Sequence, residues 1–323
     1  MKKISFVIPC YRSESTLGSV IEEIQDKMRT LNEFKFEIVL INDCSPDNTF
    51  GVISSYVEKY ENIIGISLAK NSGQHAALMA GFRHCSGDYI VCLDDDGQTP
   101  ANEVDKLISE LQRGFDVVYA SYDNKKHSPF RNFGSKLNSK MTERMLEKPK
   151  SLFISSYFIA RRFVVDEMIK YEGCYPYVIG LVLRSTKNIS NVSVTHRQRS
   201  NGTSGYSISK LFGLWLNGFT SFSIKPLRFA NYIGCFSAIL GFVYALWIVI
   251  RHFILNIAPP GWSSTMSLIL ILGGIVLMVL GMIGEYIGRI YMCINSTPQY
   301  IIREVVTNTE CRACKRKNNI REK

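Results

Sequence analysis

The sequence predicts an α/β domain built on a mainly parallel sheet, continued by an interface helix and two membrane-spanning helices. Three observations carry this. Strand and helix signals alternate from Ile4 to Ala120, the order that builds a parallel sheet covered on both faces. Two runs without a charge, 229–250 and 266–284, are each long enough to cross about 30 Å of hydrocarbon as a helix. Between domain and spans, residues 207–224 are rich in aromatic and apolar side chains, with Lys210 and Lys225 near the ends. That is the pattern of a helix lying in a membrane interface.

The elements follow in order. Residues 4–8 read as a strand and 15–31 as a helix opened by Ser and Thr. A second strand at 36–41 leads through the polar turn 43–48 to a helix over 49–60. Strands at 63–67, 89–93 and 115–120 alternate with helices at 74–84 and 102–113. After residue 121 the pattern loosens into a basic stretch, a helix at 162–171, a strand near 189–196 and a polar loop at 199–206. The expected organisation is a cytoplasmic domain 1–206, an interface helix 207–228, two spans within 229–290 and a basic tail 291–323.

Charge sets the expected orientation. The segment between the spans carries one Arg and one His, whereas the chain from Arg303 onward holds seven Lys/Arg against three acidic residues. Positive flanks stay inside, so the domain and both termini are expected on the cytoplasmic face of the inner membrane. A signal-peptide pattern is absent at Met1–Lys2–Lys3–Ile4. The net charge of +10 lacks basic runs interleaved with aromatics. It therefore points to anionic lipid and not to nucleic acid. Nine scattered cysteines fit reduced thiols better than a disulfide framework. The lone Cys311/Cys314 pair lacks two further ligands for structural zinc.

The segment with the most chemistry is the end of the strand at 89–93, where Asp94, Asp95 and Asp96 precede Gly97 and Gln98. Alternate residues of an extended chain share a face, so Asp94, Asp96 and Gln98 can converge while Asp95 points away. Oxygen ligands of this kind suit Mg²⁺ or Mn²⁺ completed by water and phosphate. An acidic turn leading into the next helix fits the local sequence equally well. Asp43 likewise fits two roles, an acceptor for a nucleotide base or an Asx turn capping the helix at 49–60. Neither a Walker-type nor a dinucleotide-type glycine motif is present.

Four motifs together resemble the family 2 glycosyltransferases with a GT-A fold: Val7–Glu14, Asn42–Thr49, Asn71–Gly73 through Gly81, and Asp94–Gln98. Two later stretches, Gly218–Arg228 and Gly284–Tyr291, are similar to bacterial polyprenyl-phosphate glycosyltransferases. That group includes bactoprenol glucosyltransferases and relatives of dolichol-phosphate mannose synthase. The resemblance implies metal-dependent, inverting transfer of a sugar from a nucleotide diphosphate sugar, UDP-linked, to undecaprenyl phosphate. It places Pro9, Tyr11, Glu14 and Asp43 at the nucleotide, Asp94 and Asp96 at a metal-bound diphosphate, and Gln98 beside them. Arg131 and Ser135, with Lys125 and Lys126, would hold the lipid phosphate. Arg199, Ser204 and Tyr206 would close over the donor, with Lys210 opening the interface helix. Self-association would run through the transmembrane region.

Two positions depart from the family pattern. Ser156 stands where members usually carry an Asp, and Tyr122 where many carry an Arg. The first removes a candidate base, and the second passes part of the phosphate binding to Lys125 or Lys126. A non-catalytic, membrane-anchored nucleotide-sugar-binding protein is disfavoured by the retained Asp94, Asp96, Gln98, Arg131 and Arg199. A processive polysaccharide synthase is disfavoured because none of Trp215, Trp247 and Trp262 follows an Arg.

Overall fold

The computed structural model describes residues 1–122, 149, 152–195, 261–295 and 297–308, with scattered positions between 232 and 250. The chain forms two compact units, one comprising Met1–Phe212 and Pro298–Lys323, the other Gly213–Thr297.

The first unit is organised by an eight-stranded sheet in the order β7-β5-β6-β4-β1-β2-β3-β8. Strands β1 (Lys2–Cys10), β2 (Phe34–Asn42), β3 (Ile63–Leu68) and β4 (Tyr89–Cys92) are mutually parallel. Their near-continuous apolar runs suit burial on both faces. Helix α1 (Leu17–Thr30) turns Leu17, Val20, Ile21, Ile24, Gln25 and Met28 inward, a stripe at helical spacing. Helix α2 (Thr49–Lys59) contributes Ile53 and Val57 to the core. α3 (Gln74–His84) is buried over Ala76–Phe82. α4 (Val104–Gln112), after a single 3₁₀ turn at Ala101–Glu103, buries Val104, Leu107, Ile108 and Leu111.

The other half of the sheet is mixed. β5 (Val117–Tyr122) runs parallel to β7 (Ile189–Val194), and β6 (Phe158–Arg161) lies antiparallel between β4 and β5. β6, helix α6 (Val178–Ser185) and the edge strand β8 (Ile302–Thr307) were not expected from the sequence. The helix expected at 162–171 is α5 (Arg162–Ile169). β6 is only four residues long and α6 only eight, too short for a periodic signal to stand out. β8 pairs antiparallel with β3. The chain that leaves the sheet domain for the hydrophobic unit therefore returns to it, and the segment expected as a basic tail, 291–323, contains a sheet strand.

In the second unit, helix α7 (Trp262–Ile294) is 33 residues long, about 50 Å at 1.5 Å per residue. Among the described residues it is the one helix long and apolar enough to cross a membrane, over Leu272–Ile294. The described positions between 232 and 250 are helical too, but the expected first span is not established as a complete helix there. The expected interface helix over 207–224 lies outside the described residues.

Candidate active site

Three loops at the carboxyl ends of β1, β2 and β4 meet at one edge of the sheet, where ligands of open α/β sheets bind. Each loop contains a left-handed residue: Arg12 (φ 58°), Cys44 (φ 51°) and Gly97 (φ 71°). Left-handed backbone at non-glycine residues is uncommon and collects at functional loops.

The acidic run divides its labour. Asp95 turns toward the loop after β1, accepting the Tyr11 N–H at 3.0 Å and the Ser13 hydroxyl. Asp94 turns the other way. Its Oδ1 accepts the Gln74 amide at 3.0 Å and its Oδ2 accepts the Ser156 hydroxyl. Burial pushes the Asp94 carboxyl up to about 6; the Ser156 hydrogen bond opposes that rise, and repulsion from Asp96 and Asp95 adds to it. Asp96 accepts the Gln98 N–H at 3.1 Å, closing a tight turn around Gly97. Among the described residues no three His, Cys, Asp or Glu side chains are grouped to hold a metal. Two repelling carboxylates without a third protein ligand fit a cation that takes its other ligands from a diphosphate and water.

Asp43 is buried, 4% exposed, and fastens a neighbouring loop: Ser72 N–H donates to Oδ1 at 2.7 Å and Gly73 N–H to Oδ2 at 2.8 Å. Gly73 is left-handed (φ 85°) and starts α3. Burial raises the Asp43 pKa and the two N–H groups partly offset it. Of the two roles open to Asp43, the Asx turn is made by Asp47, which accepts the Thr49 hydroxyl at 2.6 Å and the Thr49 N–H at 3.3 Å. Asp47 also accepts the Glu14 N–H at 3.3 Å, and Glu14 accepts the Asn48 N–H at 3.1 Å. Glu14 thus bolts the first loop to the second. Tyr11 is 44% exposed, with the Arg12 guanidinium 5.6 Å from its ring centroid. Pro9 is buried within β1, opposite Ile41.

The two positions that depart from the family pattern come to the same place, and topology explains it. β6 runs antiparallel to β4 with Phe158 opposite both Cys92 and Tyr119. Ser156, just before β6, therefore lands beside Asp94, and Tyr122 ends β5 on the same edge. Burial pushes the Tyr122 phenol up to about 12, with Asp94 the next contributor. Sequence reasoning missed Gln74, Ser13 and the Asp94–Ser156 bond. Gln74 directly follows the Asn71–Gly73 motif, which was the available signal. Lys125, Lys126, Arg131 and Ser135, and the loop residues Arg199, Ser204, Tyr206 and Lys210, lie outside the described residues, as do Cys311 and Cys314. Cys10, Cys44, Cys85, Cys92, Cys174 and Cys293 form no disulfide, and burial lifts the thiols of Cys10 and Cys92 far above the ordinary range.

Residues 5–169, just over half of the chain, match the family model "Glycosyl transferase family 2". The chain belongs to glycosyl transferase family 2. It is a glycosyltransferase. Residues 225–290 match a second model, "GtrB C-terminal hairpin". Proteins named undecaprenyl-phosphate 4-deoxy-4-formamido-L-arabinose transferase are similar over almost the whole length. The one from Photorhabdus laumondii is 31% identical, covering 95% of this chain and 95% of its own. Its namesake from Yersinia enterocolitica is also 31% identical, over 95% and 94%. Among solved structures, glucosyl-3-phosphoglycerate synthase from Mycobacterium tuberculosis in complex with Mn²⁺ and UDP-glucose superposes with a TM-score of 0.52. That match is 18% identical and covers 68% of this chain and 77% of the synthase, so what it establishes is the shared GT-A-like fold.

Proposed function

We propose that this glycosyltransferase moves a sugar from a nucleotide diphosphate sugar, UDP-linked, to a polyprenyl phosphate at the cytoplasmic face of a membrane. The observation that carries the acceptor is the extent of likeness. Relatives named for undecaprenyl phosphate match about 95% of the chain, hydrophobic unit included, and not the sheet domain alone. The sheet domain also includes β8, which follows the hydrophobic unit in sequence. A chain whose two ends build one sheet must cross a bilayer an even number of times. A hairpin of two spans satisfies that, and one span does not. Large apolar side chains of the second unit, such as Phe242 and Leu277, are about 70% exposed, which suits lipid contact better than water.

In this reading a phosphate oxygen of the lipid attacks the anomeric carbon, the bond from that carbon to the diphosphate breaks, and the nucleoside diphosphate leaves. One displacement inverts the anomeric centre. A phosphate monoester is largely ionised at neutral pH, so a hydroxyl at Ser156 in place of a carboxylate leaves the nucleophile active. Asp94 and Asp96 would hold Mg²⁺ or Mn²⁺, which when bound offsets charge on the departing diphosphate. Gln74 and Ser156 keep Asp94 oriented, and Asp95 and Glu14 hold the nucleotide loops in place.

The test is product formation by the full-length chain with UDP-sugars, a divalent cation and short-chain polyprenyl phosphate. A lipid-linked monosaccharide and lipid-dependent nucleotide release are expected. Nucleotide binding without turnover would favour the non-catalytic reading, and growing polymer would favour a processive synthase. For topology, a cysteine probe introduced by Ser263→Cys should react from outside the cell, and Cys311 only after permeabilisation.

A further inference from the structure

We propose that Gln299 is a positioning residue for the transferase site, acting through the loop that joins α5 to α6. Residues 298–301 are the first of the sheet domain after the hydrophobic unit ends at Thr297. They do not merely connect. The Gln299 Nε2 donates to two backbone carbonyls of the α5–α6 loop, Tyr171 O at 2.7 Å and Gly173 O at 2.9 Å. Carbonyl oxygens only accept, so the orientation of this amide is fixed by its partners. Next in sequence, the Tyr300 hydroxyl meets Arg83 of α3, and Arg83 in turn donates to Ile169 O at 3.2 Å. Then Ile301 O accepts the Ala69 N–H at 2.8 Å, at the start of the loop whose Ser72 and Gly73 bind Asp43. Three consecutive residues, Gln299, Tyr300 and Ile301, therefore touch three structures that frame the site.

The α5–α6 loop leads to Tyr177, whose ring stands edge-on to His75, 5.1 Å between centroids at 81°. His75 follows Gln74, the donor to Asp94. Tyr177 also acts electrostatically on the phenol of Tyr119, which pairs with Phe158, the residue opposite Cys92 near the end of the strand that leads to Asp94. A loop released at Tyr171 and Gly173 would loosen the Tyr177–His75 contact and, through Gln74, the aim of Asp94. Misplacement of about 1 Å at a reacting centre can cost on the order of a hundredfold in rate. The Gln299 Oε1 is itself buried and has no hydrogen-bond partner among the described residues. Replacing the amide by an apolar chain thus removes an unmatched acceptor along with the two donors, and the half-buried Tyr171 and Gly173 carbonyls can turn to water, so folding stability should change little.

This inference rests on the reading of the chain as a transferase, and its test separates the two. The full-length chain is compared with Gln299→Met, which ends the clasp, and Gln299→Lys, whose ammonium can still donate to both carbonyls. In Gln299→Met, amide exchange over 171–177 should quicken by about tenfold or more. kcat should fall by about tenfold while the donor KM and the melting temperature hold. Gln299→Lys should restore both. Unchanged exchange in Gln299→Met overturns the clasp. Quickened exchange with unchanged kcat, or a kcat loss matched by lost stability and not restored by Lys, overturns the positioning role. The exchange arm needs no substrate, so an inactive wild-type chain would count against the transferase reading and leave the clasp to be decided separately.

Discussion

Two acidic sites flank β1 at the same edge of the sheet, and they are balanced by different means. After β2, both oxygens of Asp43 receive backbone N–H groups, so the protein alone supplies what the carboxylate needs. After β4, Asp94 has among the described residues the neutral donors Gln74 and Ser156 and is repelled by Asp96 and Asp95. The first arrangement holds a loop in place. In the function proposed above, the second keeps charge in reserve for a cation. Burial raises the pKa at both sites, so what distinguishes them is the partners and not the burial.

The comparison is broken most severely at Asp96. Asp96→Ala should reduce turnover by about a hundredfold or more, because the diphosphate leaves without its offsetting charge. Nucleotide-free stability should hold or rise, since the variant relieves repulsion at Asp94. Full turnover of this variant in excess EDTA would sink the assignment. Asp43→Ala should do the opposite, costing about 2–4 kcal/mol of stability through two lost charge-assisted hydrogen bonds. Chemical denaturation reads this directly, and a loss under 1 kcal/mol would mean the loop finds other partners.

Asp95 sharpens the contrast within the acidic run. The alternation that turns it away from Asp94 and Asp96 makes it look tolerant of substitution in the sequence alone. In the structure it holds Tyr11 and Ser13, so Asp95→Ala should cost about 2 kcal/mol. It should also weaken nucleotide binding while leaving the metal requirement intact. Isothermal titration with UDP and with Mn²⁺ separates the two effects, and a variant with wild-type stability would show the loop holds without Asp95.

The legibility of the chain follows the same division. β1 to β3 and their helices are visible because each is an apolar run or a periodic stripe and the strands pair in sequence order, whereas β4, only four residues long, is marked by the three carboxylates that follow it. β6 and β8 are hidden for the opposite reason. β6 is four residues placed between β4 and β5 against sequence order, and β8 joins β3 across more than two hundred residues. The consequence reaches the site, because only the antiparallel run of β6 brings Ser156 to Asp94. It also changes how truncations are designed. A cut near Asn201 removes β8 together with the hydrophobic unit and exposes the edge of β3. Loss of activity in such a fragment would not by itself reveal a need for the membrane.

The smallest expected effect lies where the two acidic sites are joined. Gly73 binds Asp43, Gln74 binds Asp94, and His75 follows them into the protein. Burial lowers the His75 pKa to about 4, from an ordinary value near 6.5, and its Nδ1 is buried with no hydrogen-bond partner among the described residues. The sign follows from proton uptake. Between those two values the unfolded chain binds the proton and the folded chain does not, so stability is full above pH 6.5 and falls as the pH drops toward 4. Asp43 works in the other direction, since its raised pKa means the folded state takes the proton first as pH falls. The His75 contribution therefore has to be read as a difference between wild type and His75→Phe, which keeps a ring against Tyr177 and removes the titration. Between pH 7.5 and pH 5 the wild type should lose on the order of 1 kcal/mol more than the variant, allowing for residual solvent contact. Parallel pH profiles for the two chains would mean that His75 charges in place, and that the start of α3 is open enough to solvate it.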